Sequence, residues 1–286
     1  MSTARVERPL LGVLLIIAAE AILVFNGIIV RELGSDAGVA QLVFLRNILG
    51  LGYMLVLVGA QRNVSLRTSV LHLHFMRAAV GVSAMGCLYY GWTHLPLGTA
   101  ALLKQTAPLF IPILGLWMLG ERINPILRWS LPIGFIGVAL VLQPNNSTLQ
   151  FAVVIGLLGA LLSALAKIYI RKMKETEPSR RIVFYFALFG ALFSAPFALI
   201  SWSPLTLWQS IAVAAIGALS TLAQLAMTRA YHNAPAGYLG PFTYSSVVIA
   251  TLLGWVIWDE SLGTLTLIGM LLILVGGVLT ARTKSN

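Results

Sequence analysis

Apolar segments of about twenty residues follow one another along almost the whole 286-residue chain. Hydrophobic residues make up 58% of the sequence and charged residues only 10%. A bilayer core is ~30 Å thick, so a helix that crosses it needs about 20 apolar residues. The sequence therefore predicts an all-α membrane protein with ten transmembrane helices. The predicted spans are 10–30, 39–60, 69–92, 98–119, 126–143, 151–170, 182–201, 207–229, 237–257 and 263–281.

A duplicated frame divides these ten spans into two halves. The stretches Gly98–Glu121 and Gly237–Glu260 both end in an apolar helix followed by an acidic residue, and a shift of 139 residues relates them. Five spans per half is an odd number, so the second half enters the membrane from the side where the first half ends. We predict two inverted five-helix repeats, residues 1–145 and 146–286. Inverted repeats place a binding site near the membrane midplane, where the halves meet.

The 19 basic residues, against nine acidic ones, predict the orientation. With the N-terminus in the cytoplasm, the outer connections hold Arg31 as their one basic residue. This positive-inside asymmetry predicts that both termini are cytoplasmic. Because the charges are scattered over short loops rather than gathered on one face, we expect no nucleic-acid partner. The inner basic residues are Arg5, Arg8, Arg62, Arg67, Arg122, Arg128, Arg171, Lys172, Lys174, Arg180, Arg181, Arg229, Arg282 and Lys284.

Ionisable residues inside predicted spans cost about 2.5–3.5 kcal/mol on insertion scales, so they mark a cavity or a pathway by default. Glu20, Arg46 and Lys104 lie in the middle-to-outer part of their spans. One hypothesis is that Lys104 holds the carboxylate of a polar substrate and Glu20 its amine or a proton. The alternative is that Glu20 neutralises Lys104 or Arg46 in a buried pair that fixes helix register. Arg46 fits the structural role better, and Lys167 fits snorkelling to the inner interface.

Prolines interrupt the two related stretches. Pro108 removes a backbone donor from the fourth span, and Pro241 acts in the same way in the ninth. Membrane helices tolerate such breaks where the freed carbonyls line a cavity or lie buried in protein. We predict that both prolines mark a helix break at the cavity wall. A kink without a ligand is the alternative.

Polar and aromatic side chains complete the predicted cavity. The 139-residue shift sets Thr243 opposite Lys104, so we expect the two broken stretches to face one space. Helix packing or an interfacial position is the alternative for the aromatic residues, although Tyr244 lies seven residues into its span. The predicted substrate-binding residues are Lys104, Glu20, Gln105, Tyr90, Gln224, Thr243 and Tyr244.

Motifs of enzymes and cofactor sites are missing from the sequence. It has no GxxxxGK[ST] loop, no HExxH and no paired-cysteine spacing, and its one cysteine, Cys87, allows no intrachain disulfide. We therefore expect a non-enzyme without cofactor or metal, whose partners are a small-molecule substrate and membrane lipids. Glycine spacings such as Gly134 with Gly137, and Gly269 with Gly276, indicate close helix packing. They leave both a monomer and a dimer open.

Several motifs resemble the EamA-type drug/metabolite transporters. The resemblance covers essentially the whole chain and implies a basket-like fold of ten helices with alternating access. It also implies a cavity formed mainly by spans 1, 3, 4, 6, 8 and 9. Many relatives have a small or hydroxyl residue where Lys104 stands, and some have a glutamate where Thr243 stands, so a relative's substrate does not carry over. The motifs are FLRN in span two, TAPLF in span four, TLAQLAMTRAYHNAP in span eight and GPFTYSSVVIATLLGW in span nine.

Three functions follow from these patterns. The leading hypothesis is a secondary transporter of the bacterial inner membrane that exports amino acids or related small amphiphilic metabolites. The resemblance also implies importers of vitamins or nucleoside-like metabolites, which reverses the direction of transport. The third hypothesis is a non-transporting membrane scaffold or receptor, which the buried charges make the least attractive.

Overall fold

In a computed structural model, most of the predicted membrane-embedded chain is described. Glu121 and Gly237, which bound the two related stretches, lie outside the described residues. So do Arg5, Arg8 and the other terminal basic residues. The described residues are 9–34, 37–59, 65–119, 127–142, 147–173, 176–200, 202–233, 239–260 and 263–281.

These residues form α-helices and one short 3₁₀ helix, Gly240–Tyr244, and no strand occurs among them. The α-helices are α1 Pro9–Leu33, α2 Val39–Gly59, α3 Leu71–His94, α4 Leu97–Lys104, α5 Ala107–Leu119, α6 Leu127–Leu142, α7 Ser147–Met173, α8 Ser179–Ile200, α9 Leu207–Asn233, α10 Ser245–Trp258 and α11 Thr264–Ala281.

The described helices are long and apolar enough for a membrane protein. Seven helical segments have the length and composition of a membrane span, and Phe242–Trp258 and Thr264–Gly276 are shorter apolar helices. Large apolar side chains also face outward: Trp117 is 80% exposed and Ile200 is 84% exposed. A surface of this kind suits lipid rather than water. The chain is an all-helical, multi-pass membrane protein, while the count of ten spans and the side of each terminus stay predictions.

Packing between the two halves follows the 139-residue frame. The shift relates α1 to α7 and α3 to α9, and α1 packs against α9 just as α3 packs against α7. In the same way, α2 packs against its own counterpart α8, and α6 against its own counterpart α11. Swapping the two halves therefore gives the same set of helix–helix contacts.

The fourth and ninth predicted spans are both broken, at matching positions. In the first half α4 ends at Lys104, and α5 begins three residues later. In the second half the 3₁₀ helix ends at Tyr244 and α10 follows it directly, so the break there is a change of helix type without an intervening residue. Both later helices also end in register, at Leu119 and at Trp258. The two halves thus share a helix break as well as a sequence frame.

The prolines lie beside these breaks rather than at them. Pro108 is the second residue of α5, and Pro241 is the second residue of the 3₁₀ helix. The first turn of a helix suits proline, because an N–H there has no partner within the helix. The interruption itself falls at Gln105 and Thr106, where the Thr106 hydroxyl donates to the carbonyl of Leu103 at 2.7 Å. Pro108 therefore follows the interruption directly, in the first turn of α5.

Small residues let α6 and α11 approach closely. A Cβ on Gly137 would lie 2.6 Å from the carbonyl oxygen of Gly269, so only hydrogen fits between the two backbones. A Cβ on Gly134 would lie 2.6 Å from the side chain of Leu109. These glycine spacings therefore serve helix packing within the chain.

Candidate functional site

A cavity of about 220 Å³ lies between the two halves. Its walls come from α1, α2, α3 and α4 of the first half, and from α7, α8, α9 and the 3₁₀ helix of the second half. Apolar residues form much of the lining, including Trp92 and Phe186, and Cys87 also lines it. The polar and charged residues of the lining are Glu20, Asn26, Arg46, Arg77, Gln105, Lys104, Ser163, Lys167, Ser220, Gln224 and Thr243.

Lys104 and Glu20 form an ion pair in this cavity. The Nζ of Lys104 donates a hydrogen bond to Oε2 of Glu20 at 2.7 Å. The Glu20 side chain is 3% exposed, whereas that of Lys104 is 21% exposed. Lys104 is the last residue of α4, so the break directly after it sets this ammonium at the cavity wall. Both sequence hypotheses for Glu20 describe part of this geometry, since the pair is buried and also lines the cavity.

Gln105 connects the two breaks beside the pair. Its Nε2 donates to the backbone carbonyl of Thr243 at 3.0 Å and to the Ser246 hydroxyl at 2.9 Å. The same nitrogen lies 3.4 Å from Oε2 of Glu20. Because Gln105 is buried, this amide fixes one half against the other at the level of the ion pair.

Asn26 presents a hydrogen-bond acceptor that has no partner among the described residues. Its Nδ2 donates to the Ser220 hydroxyl at 3.0 Å, while its Oδ1 is buried and unbonded. Both residues line the cavity. A buried acceptor normally has a donor, so this oxygen suits an N–H of a ligand. Asn26 was given no role from the sequence, although a polar residue within an apolar span was a signal.

Arg77 and Arg46 form a second cationic part of the cavity. Their guanidinium carbons lie 3.8 and 5.5 Å, respectively, from the ring centroid of Phe186. Arg46 donates to Oδ1 of Asn47 at 2.8 Å, whereas Nε and Nη1 of Arg77 are buried without a partner among the described residues. Arg77 was given no role from the sequence. It lies six residues, or ~9 Å of helix rise, beyond Leu71, where α3 begins.

Two of the predicted residues lie outside the cavity lining. Tyr90 stacks on His94 of the same helix with ring centroids 3.9 Å apart, and it meets Phe151 of α7 edge-to-face at 6.2 Å. Tyr244 is buried in a separate apolar cluster that includes Leu102 and Met270. The described chain therefore uses both tyrosines in helix packing, which was the stated alternative.

The remaining predicted residues do line the cavity. Gln224 reaches it from α9 and Thr243 from the 3₁₀ helix. Lys167, which we expected to snorkel to the inner interface, also lines it from α7. Its helix continues for six residues beyond it to Met173, ~9 Å of helix rise, so Lys167 does not lie at the helix end.

A polar cluster ties the two halves together at the start of α3. Glu177 accepts hydrogen bonds from the Thr68 hydroxyl at 2.8 Å and from Nη1 of Arg181 at 3.0 Å, and Nε2 of His74 lies 3.2 Å away. Burial raises the pKa of the Glu177 carboxyl, but the hydrogen bonds from these three side chains together lower it below its ordinary value. We call this group the Glu177 cluster.

A second cluster lies at the other end of α3. Glu260 pairs with Arg31 and accepts a hydrogen bond from the backbone N–H of Leu97 at 2.9 Å. The Arg31 guanidinium also lies 4.1 Å from the ring centroid of Trp258, whose Nε1 donates to Glu32 at 3.1 Å. This Glu260 cluster joins α1 and the start of α4 to the end of α10. The cavity thus lies between two polar clusters that each connect the halves.

The comparisons with known proteins agree on one family. The family model described as the EamA-like transporter family matches residues 10–143 and again residues 150–282. The chain is 30% identical over 280 residues to the pseudopaline exporter CntI of Pseudomonas aeruginosa (strain UCBPP-PA14), covering 96% of this chain and 97% of that one. It is 26% identical over 250 residues to the S-adenosylmethionine uptake transporter of Rickettsia bellii (strain RML369-C), covering 87% and 86%. A solved crystal structure, 19% identical, shares the fold with a TM-score of 0.62 over 92% of this chain and 95% of its own.

Proposed function

Because this chain belongs to the EamA-like transporter family, we propose that it exports amino acids or related small amphiphilic metabolites across the bacterial inner membrane. The observation that carries the proposal is the Lys104–Glu20 pair, 2.7 Å apart, at a helix break that lines the cavity. Membership of a transporter family argues against the third hypothesis, a non-transporting scaffold or receptor. Family and relatives are transporters rather than enzymes.

The pair suits a zwitterion because each of its charges can exchange one partner for another. A substrate carboxylate replaces Glu20 at the ammonium of Lys104, and a substrate ammonium takes the freed Glu20 carboxylate. Both protein charges are already held in the cavity, so the exchange leaves neither of them unpaired. The unbonded Oδ1 of Asn26 supplies a further acceptor for the ammonium. Gln105, Gln224 and Thr243 shape the rest of the site.

The relation between the two halves supports a mechanism of alternating access. In this proposal residues 1–145 and 146–286 are inverted five-helix repeats, which give ten spans and cytoplasmic termini. The shared 139-residue frame, the matching helix breaks and the two matches to one family model support it. The Glu177 and Glu260 clusters act as gates, one at each end of α3, and the cavity faces the side whose cluster is open.

Export is favoured over import by the relative with the broader coverage. The Pseudomonas aeruginosa protein is named an exporter and matches 96% of this chain. Import of a vitamin or nucleoside-like metabolite is the second candidate, and the similarity to the Rickettsia bellii uptake transporter supports it. Counterflow with a panel of amino acids, vitamins and nucleosides in oriented vesicles separates the two directions.

Transport by a Lys104→Ala variant tests the proposed site. We expect this variant to fold and to lose transport of any amino acid that the wild-type protein moves. The matched control is Lys172→Ala, because Lys172 is exposed near the end of α7 and lies outside the cavity. Unimpaired transport by Lys104→Ala, with the control also active, rules out the assignment of Lys104 to the substrate.

A further inference from the structure

We propose that Arg77 and Arg46 form a second anion subsite in the cavity. The transported metabolite then carries a second carboxylate besides the one of its amino-acid group. This inference rests on the proposed function, since it assumes that the Lys104–Glu20 pair binds the amino-acid group.

The first observation is the unpaired state of Arg77. Its Nε and Nη1 are buried without a hydrogen-bond partner in the described chain, and the residue is 8% exposed. Neither Arg77 nor Arg46 has a carboxylate within ion-pair distance among the described residues. A buried cation without a counter-charge is costly, so such groups are retained where a ligand or a partner pairs with them.

The second observation is the charge balance of the cavity. Among the described residues, four basic side chains and one acidic side chain, that of Glu20, line it. Lys104 already uses Glu20 as its partner. Three cationic groups, those of Arg46, Arg77 and Lys167, therefore face the cavity without a carboxylate of the lining to balance them. A zwitterion with no net charge leaves this excess in place, whereas an additional carboxylate reduces it.

The geometry of Arg77 suits a carboxylate. With its guanidinium carbon 3.8 Å from the ring centroid of Phe186, the cation lies on the aromatic face. The guanidinium N–H groups lie in the plane of the group, so contact with a ring leaves in-plane donors for an anion. A carboxylate accepts two such donors in a fork. Arg46 lies at 5.5 Å from the same ring, and its Nη1 is held by Asn47. The second carboxylate is therefore assigned to Arg77, with Arg46 beside it.

Matched ligand pairs test the subsite. The probes are aspartate, glutamate, 2-aminoadipate and 2-aminopimelate, each compared with its side-chain amide at equal ionic strength. Thermal stabilisation of the purified protein measures binding, because a ligand of the folded state raises its stability. Acid and amide have nearly the same shape, so the preference reports the second carboxylate alone. We expect at least one acid to bind at least tenfold more tightly than its amide.

A variant of Arg77 then tests whether this residue causes the preference for the acid over its amide. We expect Arg77→Gln to bring the ratio of acid to amide affinity close to one while binding of the amide persists. Arg67→Gln is the matched control, since Arg67 is exposed and lies outside the cavity lining, and it should keep the wild-type ratio. If Arg77→Gln does not fold, phenylglyoxal labelling of wild-type protein replaces it. The preferred acid then protects Arg77 in peptide mass spectra, and its amide does not.

The other possible results show whether the second subsite fails alone or together with the proposed function. Equal affinity for every acid and its amide, or an unchanged preference in Arg77→Gln, removes the second subsite. If acid and amide protect Arg77 of the wild-type protein equally from labelling, the second subsite is also ruled out. If acids and amides bind equally and Lys104→Ala abolishes both, the proposed function stands and only the second subsite fails. If no probe binds but another amino acid does, the second subsite fails and the proposed function stands; if no amino acid binds at all, both fail.

Discussion

Lys104 donates to Glu20 across 84 residues of sequence, with Nζ and Oε2 2.7 Å apart. The contact joins the end of α4 to the middle of α1 inside a cavity that both halves line. Since Glu20 is nearly fully buried, its carboxylate depends on this partner. The pair therefore combines two roles, because it fixes two helices and offers two opposite charges to a substrate.

Removing one charge or both separates these roles. We expect Lys104→Met to lower stability by about 2–3 kcal/mol, because the buried carboxylate loses its partner, although partial exposure of Lys104 reduces the effect. In the double variant Lys104→Met, Glu20→Gln we expect most of this loss to be recovered, while transport stays absent. Thermal unfolding in detergent and uptake into vesicles give the two readouts. A double variant as unstable as the single one contradicts the pairing.

Gln105 gives a test of the link between the two helix breaks. We expect Gln105→Met to cost about 1–2 kcal/mol, since it removes the donor to the Thr243 carbonyl and the Ser246 hydroxyl. Ser246→Ala should cost a similar amount, because it removes the acceptor for Gln105 and also the hydroxyl that donates to the Thr243 carbonyl at 2.9 Å. A double-mutant cycle on thermal stability should show a coupling of about 0.5–1.5 kcal/mol. Strictly additive effects would mean that the amide does not join the two segments.

Gly137 tests the close approach of α6 and α11. A Cβ there lies 2.6 Å from the carbonyl oxygen of Gly269, which is backbone and cannot rotate away. We expect Gly137→Ala to destabilise the protein by about 1–3 kcal/mol through overpacking. Gly52→Ala is the matched control within α2, since its added Cβ meets nothing within 4 Å. It should be neutral or stabilise by up to about 1 kcal/mol through helix propensity. Equal melting temperatures of the two variants contradict the prediction.

The Glu177 cluster predicts a pH dependence of stability. The hydrogen bonds to this carboxylate hold the pKa of Glu177 below its ordinary value. The stability that they add is complete above the unfolded pKa of about 4.3 and is lost as the pH falls through the lower, folded pKa. We expect the melting temperature of the wild-type protein to fall between pH 5 and 3 more steeply than that of Glu177→Gln. Parallel melting curves over this range contradict the cluster's role.

Much of the architecture follows from local features of the sequence. Span length and hydropathy define the helical membrane class, because each span must satisfy its backbone hydrogen bonds internally. The motifs in TAPLF and GPFTY identify the family, and the family model bears this out. The 139-residue shift also located the two related stretches, and both of them are broken in the structure at matching positions.

The direction in which each side chain faces was less predictable. Tyr90 and Tyr244 carry the same chemistry as a stacking residue of a binding site, yet both pack between helices. Lys167 was predicted to snorkel to the inner interface and Arg77 was given no role, yet both line the cavity. An apolar membrane helix has no polar stripe wide enough to show which side faces the bundle. The facing side is settled only when neighbouring helices pack.

The sequence by itself determined that this chain spans a membrane repeatedly, belongs to one transporter family and carries a charged, broken helix in its fourth span. Local features suffice for these properties: span composition for the membrane class, since the bilayer constrains every span in the same way, and short motifs for the family. The tertiary structure alone decided that Lys104 pairs with Glu20 and that Arg77 keeps unpaired donors beside Phe186. These depend on contacts between residues far apart in the chain, where the rotation of each helix selects which charges meet and which are left for a ligand.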